Sequence, residues 1–164
     1  MNIIKLTHEN QSDLEKLISE IEKNLPRKEY WLPITKIERE HFLDDEWTAF
    51  YGIYHEGELI AASALFYNEC EFGETINKLG METKGVAEIG RCMVKPSHRG
   101  NKLLISINDF IIQKAKREGL QYIVATVYPD NIPSYKSFMA LGFEKQTTYV
   151  RNSTYVRDVF LLKI

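Results

Sequence analysis

A chain of 164 residues with 44% hydrophobic, 12% aromatic and 27% charged residues has ordinary globular composition, and it is long enough to bury a core without disulfides or a structural metal. That balance excludes a disordered, collagenous or low-complexity chain, and a net charge of −2 offers no basic field for nucleic acid. No apolar run reaches the ~18–20 residues that cross a bilayer, the opening MNIIKLTHENQSDLEK lacks a signal-peptide core, and two cysteines make no disulfide framework, so a cytoplasmic protein with no membrane contact is expected.

In chain order, Asn2–Leu6 reads as a short apolar strand. Gln11–Asn24 carries Leu14, Leu17, Ile18 and Ile21 at helical spacing and breaks at Pro26. Pro33–Phe42 reads as a second short helix. Thr48–Tyr54 and Leu59–Phe66 are strands joined by the turn His55-Glu56-Gly57-Glu58. Asn68–Gly85 reads as a long, Gly-containing loop, and Ala87–Val94 as a strand stopped by Pro96. Lys102–Glu118 is predicted helical, with Leu103, Leu104, Ile107, Ile111 and Ala115 on one stripe and Gly119 as its cap. Tyr122–Val127 is a buried strand, Ile132–Leu141 a helix opened by Pro133 and closed by Gly142, and Phe143–Val150 with Thr154–Leu162 a closing hairpin. With no repeat, linker or shift of composition, residues 1–164 read as a single α+β domain.

Most catalytic motifs are missing. His8, His41, His55 and His98 have no metal-ligand spacing and there is no CxxC, so no metal site is expected; nucleophile-elbow, P-loop and dinucleotide-binding patterns are also absent. The informative stretch is Val94-Lys95-Pro96-Ser97-His98-Arg99-Gly100-Asn101-Lys102-Leu103. A strand ends at a proline, and a glycine turn enters a helix. Backbone N–H groups without intrahelical partners gather there, with the positive end of the helix dipole. Lys95, Arg99 and Lys102 add charge. The pattern suits a pyrophosphate; a plain connection with solvated basic residues is the alternative.

The run EIGRCMVKPSHRGNKLL, followed by TVYPDN, a serine three residues after its asparagine, and LGF, resembles the GNAT superfamily of acyl-CoA-dependent N-acyltransferases. Val94, Pro96, Arg99 and Gly100 match the family's phosphate loop, whereas Lys102 stands where a second glycine is usual. The resemblance implies a mixed, mostly antiparallel sheet of about seven strands with a central V-shaped splay, flanked by about four helices. It further implies acetyl-CoA as cosubstrate, its pantetheine arm along the backbone near Cys92, Met93 and Val94 and its pyrophosphate on the turn Arg99, Gly100, Asn101, Lys102, Leu103 and Leu104. Asn131 and Ser134 would flank the pantetheine arm, although a helix N-cap is an equally chemical role for Asn131.

The implied reaction is attack of a neutral amine on the thioester. Glu88 is the candidate general base; an alternating strand would set it on the same face as Cys92. Asp45 and Glu46 are weaker candidates. The family's usual tyrosine, which protonates the leaving thiolate, falls at Phe138 in this chain, which leaves Tyr135 or solvent as the acid. Tyr30, Trp31, Trp47, Tyr67, Tyr149 and Tyr155 are aromatics in segments expected to line the acceptor side, and Glu69, Glu71 and Glu74 would make that side acidic. The expected partners are acetyl-CoA and a small-molecule or peptide amine. A non-catalytic acyl-CoA-binding or regulatory module is the alternative, and the oligomeric state, a homodimer included, is open.

Overall fold

The computed structural model describes residues 1–164. Seven strands form one sheet: β1 (Ile3–Lys5), β2 (Thr48–His55), β3 (Glu58–Phe66), β4 (Val86–Val94), β5 (Tyr122–Val127), β6 (Glu144–Arg151) and β7 (Tyr155–Lys163). Their spatial order is β1-β2-β3-β4-β5-β7-β6, antiparallel except for β4 beside β5. Five helices accompany them: α1 (Gln11–Lys23), α2 (Lys36–Glu40), α3 (Glu69–Lys78), α4 (Leu103–Arg117) and α5 (Ile132–Ala140). No helix is long and apolar enough to cross a membrane.

Two apolar layers hold these elements. On one face of the sheet, Leu103, Ile107, Ile111 and Ala115 of α4 and Phe138 of α5 pack on Ile89, Ile123, Ala125 and Phe160. On the other, Leu14, Leu17, Ile18 and Ile21 of α1 and Phe72 and Ile76 of α3 pack on Phe50, Phe66, Met93 and Val124. Each fully buried side chain of this size contributes about 1.5–3 kcal/mol of transfer free energy.

Helix α3 replaces the loop expected over Asn68–Gly85. Asn68 caps it, its side chain accepting from the Cys70 N–H at 2.9 Å. Its apolar face is only Phe72 and Ile76, one turn apart, and both are fully buried. Two residues at that spacing, with Gly73 between them, make a weak periodic signal. Tertiary burial rather than local propensity carries the helix.

Two irregularities of β4 create the site. First, β4 and β5 pair only over three rungs, Val86 with Tyr122, Ala87 with Ile123 and Glu88 with Val124, after which the strands part. Second, Ala62 faces Met93 while Ala64 faces Gly90, so β4 holds one residue more than β3 over that interval. The extra residue is a β-bulge, and Arg91 takes a left-handed φ of 47° there. The bulge reverses side-chain alternation beyond it. Glu88 and Gly90 face the α1 and α3 side, whereas Cys92 turns toward α4, where Asn108 Nδ2 donates to its sulfur at 3.6 Å and Ser63 Oγ lies 3.3 Å away. The expectation that Glu88 and Cys92 share a face is thereby corrected; it assumed a regular strand.

Candidate active site

The parted strands open a cavity of about 590 Å³. Cys92, Val94, Arg99, Gly100, Asn101, Lys102, Leu103, Leu104, Asn131 and Ser134 all line it, as does Glu88. Met93 does not: its side chain is 1% exposed and belongs to the apolar layer under α1. Tyr135 does not either. Its ring meets Phe160 edge-on at 5.0 Å, on the sheet-facing side of α5, and Phe138 takes the place at the cavity wall. The candidate acceptor-side aromatics divide in the same way. Tyr30 and Trp31 line the cavity, while Trp47 stacks on His41 at 3.8 Å, Tyr67 donates to Glu118 at 2.8 Å and Tyr149 is paired with Thr75 at 2.6 Å.

At one end of the cavity, the turn into α4 presents its donors. Ser106 N–H to the Lys102 carbonyl at 3.1 Å is the first bond into the helix, so the N–H groups from Gly100 through Ile105 have no backbone partner within the chain. Gly100 has φ +83° and Lys102 φ +56°, both left-handed. A glycine at 102 would take that backbone freely, and a lysine holds it at a cost of about 1–2 kcal/mol. Lys95 is drawn away from this turn by Glu58 and by Glu20 at 3.6 Å. Asn131 occupies the N-cap position of α5, yet its side chain makes no capping bond and faces the cavity.

At the opposite wall Glu88 lies in a set of buried charges whose other members Arg151, Arg91 and Glu38 were not singled out by the sequence. Arg151 Nη1 donates to Glu88 Oε2 at 2.9 Å and Nη2 to Oε1 at 3.2 Å, and the guanidinium also reaches Thr126 Oγ1 at 3.0 Å and the Glu71 carbonyl. Beside it, Arg91 Nε donates to Glu38 Oε2 at 3.0 Å, and the guanidinium lies over the Trp31 ring, 4.7 Å from its centroid. Burial pushes the Glu88 carboxyl above its ordinary range, and the Arg151 charge opposes that rise. The Glu71 carboxyl is pushed up to about 7, by burial first and then by the charges of Glu38 and Glu88. Burial likewise raises the Cys92 thiol, which removes it as a ready nucleophile. Gly90 keeps the approach to Glu88 open: a methyl group there would sit 2.9 Å from the Phe66 ring and 3.7 Å from Glu88 Oε1.

Glu71 gives a stability signature. Its folded-state pKa lies above the unfolded value, so between about 4.5 and about 7 the folded chain binds more protons and stability falls as pH rises. Glu71→Gln abolishes that slope. Thermal melts are expected to show the variant more stable than wild type at pH 8 and indistinguishable from it near pH 4.

A parted seven-stranded sheet with a helix N-terminus at the mouth of the gap defines the acetyltransferase fold class. The sequence model of the acetyltransferase (GNAT) family matches residues 12–143, and the chain belongs to that family. Among solved structures, it is similar to a ribosomal-protein-alanine N-acetyltransferase from Brucella melitensis, at 14% identity and a TM-score of 0.76 with 100% of both chains covered. A probable acetyltransferase from Staphylococcus epidermidis is similar at 19% identity and a TM-score of 0.73, with 99% of this chain and 98% of that one covered. An N-acetyltransferase from Staphylococcus aureus Mu50 is similar at 14% identity and a TM-score of 0.72, with 99% of both chains covered. A comparison with curated protein sequences finds no match.

Proposed function

We propose that this protein transfers the acetyl group of acetyl-CoA to a primary amine by direct attack in a ternary complex in the cytoplasm. The observation that carries the reading is the conjunction, in one cavity, of the unpartnered N–H groups from Gly100 to Ile105 and a buried carboxylate, Glu88, on the opposite side. The pyrophosphate takes the helix N-terminus. The pantetheine arm runs between the parted strands past Cys92 and Val94, with Asn131 and Ser134 beside it. Backbone donors do this work, which is why a lysine is tolerated at 102.

The amine enters as an ammonium with a pKa near ~10.4 and must lose a proton before it attacks. Glu88 accepts it, directly or through one water. The nitrogen lone pair forms the C–N bond, the C–S bond breaks with CoA leaving as thiolate, and the nitrogen gives up its second proton to solvent to yield the neutral amide. With Phe138 at the wall and Tyr135 turned to Phe160, that thiolate takes its proton from water; a thiol of pKa near ~8.5 leaves readily enough for this.

Calorimetry with CoA tests the binding half. Gly100→Pro fixes φ near −65° where the chain has +83°, and removes one donor from the row. CoA affinity is expected to fall at least tenfold in that variant; equal affinity with the fold intact overturns the site. A thiol-release assay with acetyl-CoA and a panel of amines tests the chemical half. CoA binding without thiol release for any amine identifies the non-catalytic module instead.

A further inference from the structure

One buried charged side chain at the cavity has no carboxylate partner. Arg157 of β7 is 2% exposed, and it forms no ion pair with any carboxylate of the chain. Its Nη1 donates to the Val156 carbonyl at 2.8 Å, while Nη2 is buried with no hydrogen-bond partner at all. The neighbouring basic residues on the same wall are all answered: Arg151 by Glu88 and Arg91 by Glu38. An uncompensated buried guanidinium costs several kcal/mol, about 3–5 when a buried pair is broken, and it persists where something outside the chain completes it.

Its position says which side of the cavity it serves. Arg157 lies opposite Tyr149 in the β6–β7 ladder, and Arg151 lies one diagonal step away, roughly 7–8 Å between such positions. Both belong to the face that carries Glu88, Glu71 and Trp31, across the sheet from the α4 layer. The guanidinium stands 5.8 Å from the Tyr128 ring centroid and 5.9 Å from that of Tyr155, so aromatic rings flank it, and Arg157 is among the residues that line the cavity. Burial, with the charges of Arg151 and Arg91, pulls its pKa down to about 10, which still leaves it cationic at neutral pH.

We propose that Arg157 binds a carboxylate carried by the acceptor itself, so that the acceptor is an amino-acid-like molecule bearing both an amine and a carboxylate. The inference rests on the N-acetyltransferase reading and names its substrate class. The carboxylate pairs with the free Nη2 edge in the fork geometry that arginine offers to planar oxyanions. The amine then lies on the Glu88 and Glu71 side. A simple alkylamine leaves Nη2 unpaired and loses that interaction, which is the asymmetry by which a buried polar group rejects a ligand that lacks its partner.

The test uses matched pairs that differ only in the carboxylate: L-leucine with isoamylamine, L-phenylalanine with phenethylamine, and L-lysine with cadaverine. Wild type is expected to show kcat/KM at least tenfold higher for the better amino acid than for its decarboxylated partner. Arg157→Met is expected to reduce that ratio at least tenfold. An absent preference, or one that survives in Arg157→Met, overturns the proposal. Calorimetry with the products N-acetyl-L-leucine and N-isoamylacetamide, in the presence of CoA, reads the same recognition without turnover. No thiol release with any amine therefore fails the acetyltransferase reading alone, while Arg157-dependent binding of N-acetyl-L-leucine upholds the site and equal binding of both amides overturns it. Arg157→Met is also expected to raise Tm, because an unpaired buried charge is replaced by an apolar chain of similar length. A large fall in Tm, or loss of CoA affinity with acceptor preference intact, assigns Arg157 a structural or CoA-binding role and overturns the proposal.

Discussion

Glu88→Gln is expected to lower turnover by about a hundredfold or more while leaving CoA affinity within a few-fold of wild type. Glutamine preserves the shape of the side chain and can still accept from Arg151, but it cannot take a proton. Glu88 lies on the α1 and α3 face of β4 at the last rung before the strands part, and a bulge separates it from Cys92. Loss of its charge therefore removes basicity on the amine side without touching the turn from Gly100 to Ile105. The pH–rate profile carries the decision. A wild-type acidic limb that disappears in the variant marks Glu88 as the base; an unchanged limb sends the proton elsewhere, with Glu71 the next carboxylate at the wall.

Arg151→Met is the second large effect, and it is first an effect on stability. Arg151 and Glu88 have side-chain exposures of 8% and 7%, and the guanidinium also satisfies Thr126 and the Glu71 carbonyl. Removing one partner of a buried pair costs about 3–5 kcal/mol, since the other charge is left without compensation. The pH dependence has a definite sign. Without Arg151, the main opposition to the burial-driven rise of the Glu88 pKa is gone and only the weaker effect of Arg91 remains, so the folded variant holds that proton to higher pH than the unfolded chain. The deficit against wild type is therefore smallest below the ordinary glutamate range and grows as pH rises above it. Denaturation at pH 4.5 and pH 8 checks this: equal deficits at the two values would mean that the pair is not what Arg151 contributes.

How much of this was legible in the sequence depended on how far apart the cooperating residues stand. Pro96, Gly119, Pro133 and Gly142 punctuate the second half of the chain, so β4, α4, β5 and α5 were readable nearly to their ends. The turn into α4 was readable for the same reason, since its donors are backbone groups of consecutive residues. Helix α3 was not, because two buried residues do not make a period. The reversal of side-chain direction at Arg91 was not either: nothing local marks an arginine for positive φ, and a single inserted residue flips every later prediction of facing. The Glu88–Arg151 pair joins positions 63 residues apart, and Arg91–Glu38 positions 53 apart. No spacing rule connects such residues; only the closing of β7 between β5 and β6 brings Arg151 and Arg157 to the wall. Phe138 was legible as an exception to the family pattern, and the structure adds that the Tyr135 ring packs on Phe160, outside the cavity lining.

Three rungs between β4 and β5, with the bonds from the Gln121 and Tyr122 N–H groups to the Gly85 carbonyl just before them, are the backbone bonding that joins the first four strands to the last three. The sheet is thus two leaves with a seam, and beyond the seam the leaves are joined by side chains alone: the α4 layer on one face, and the Arg151–Glu88 pair with the Thr75–Tyr149 hydrogen bond on the other. Amides along the open edges, from Ile89 to Val94 and from Ala125 to Val127, are where hydrogen exchange by local opening should concentrate. Under the proposed function, a cosubstrate arm between the edges adds bonds to both leaves at once, so ligation ties the seam together. The gain in resistance to unfolding should then rise with the logarithm of ligand concentration above Kd and appear as slowed exchange at both edges together.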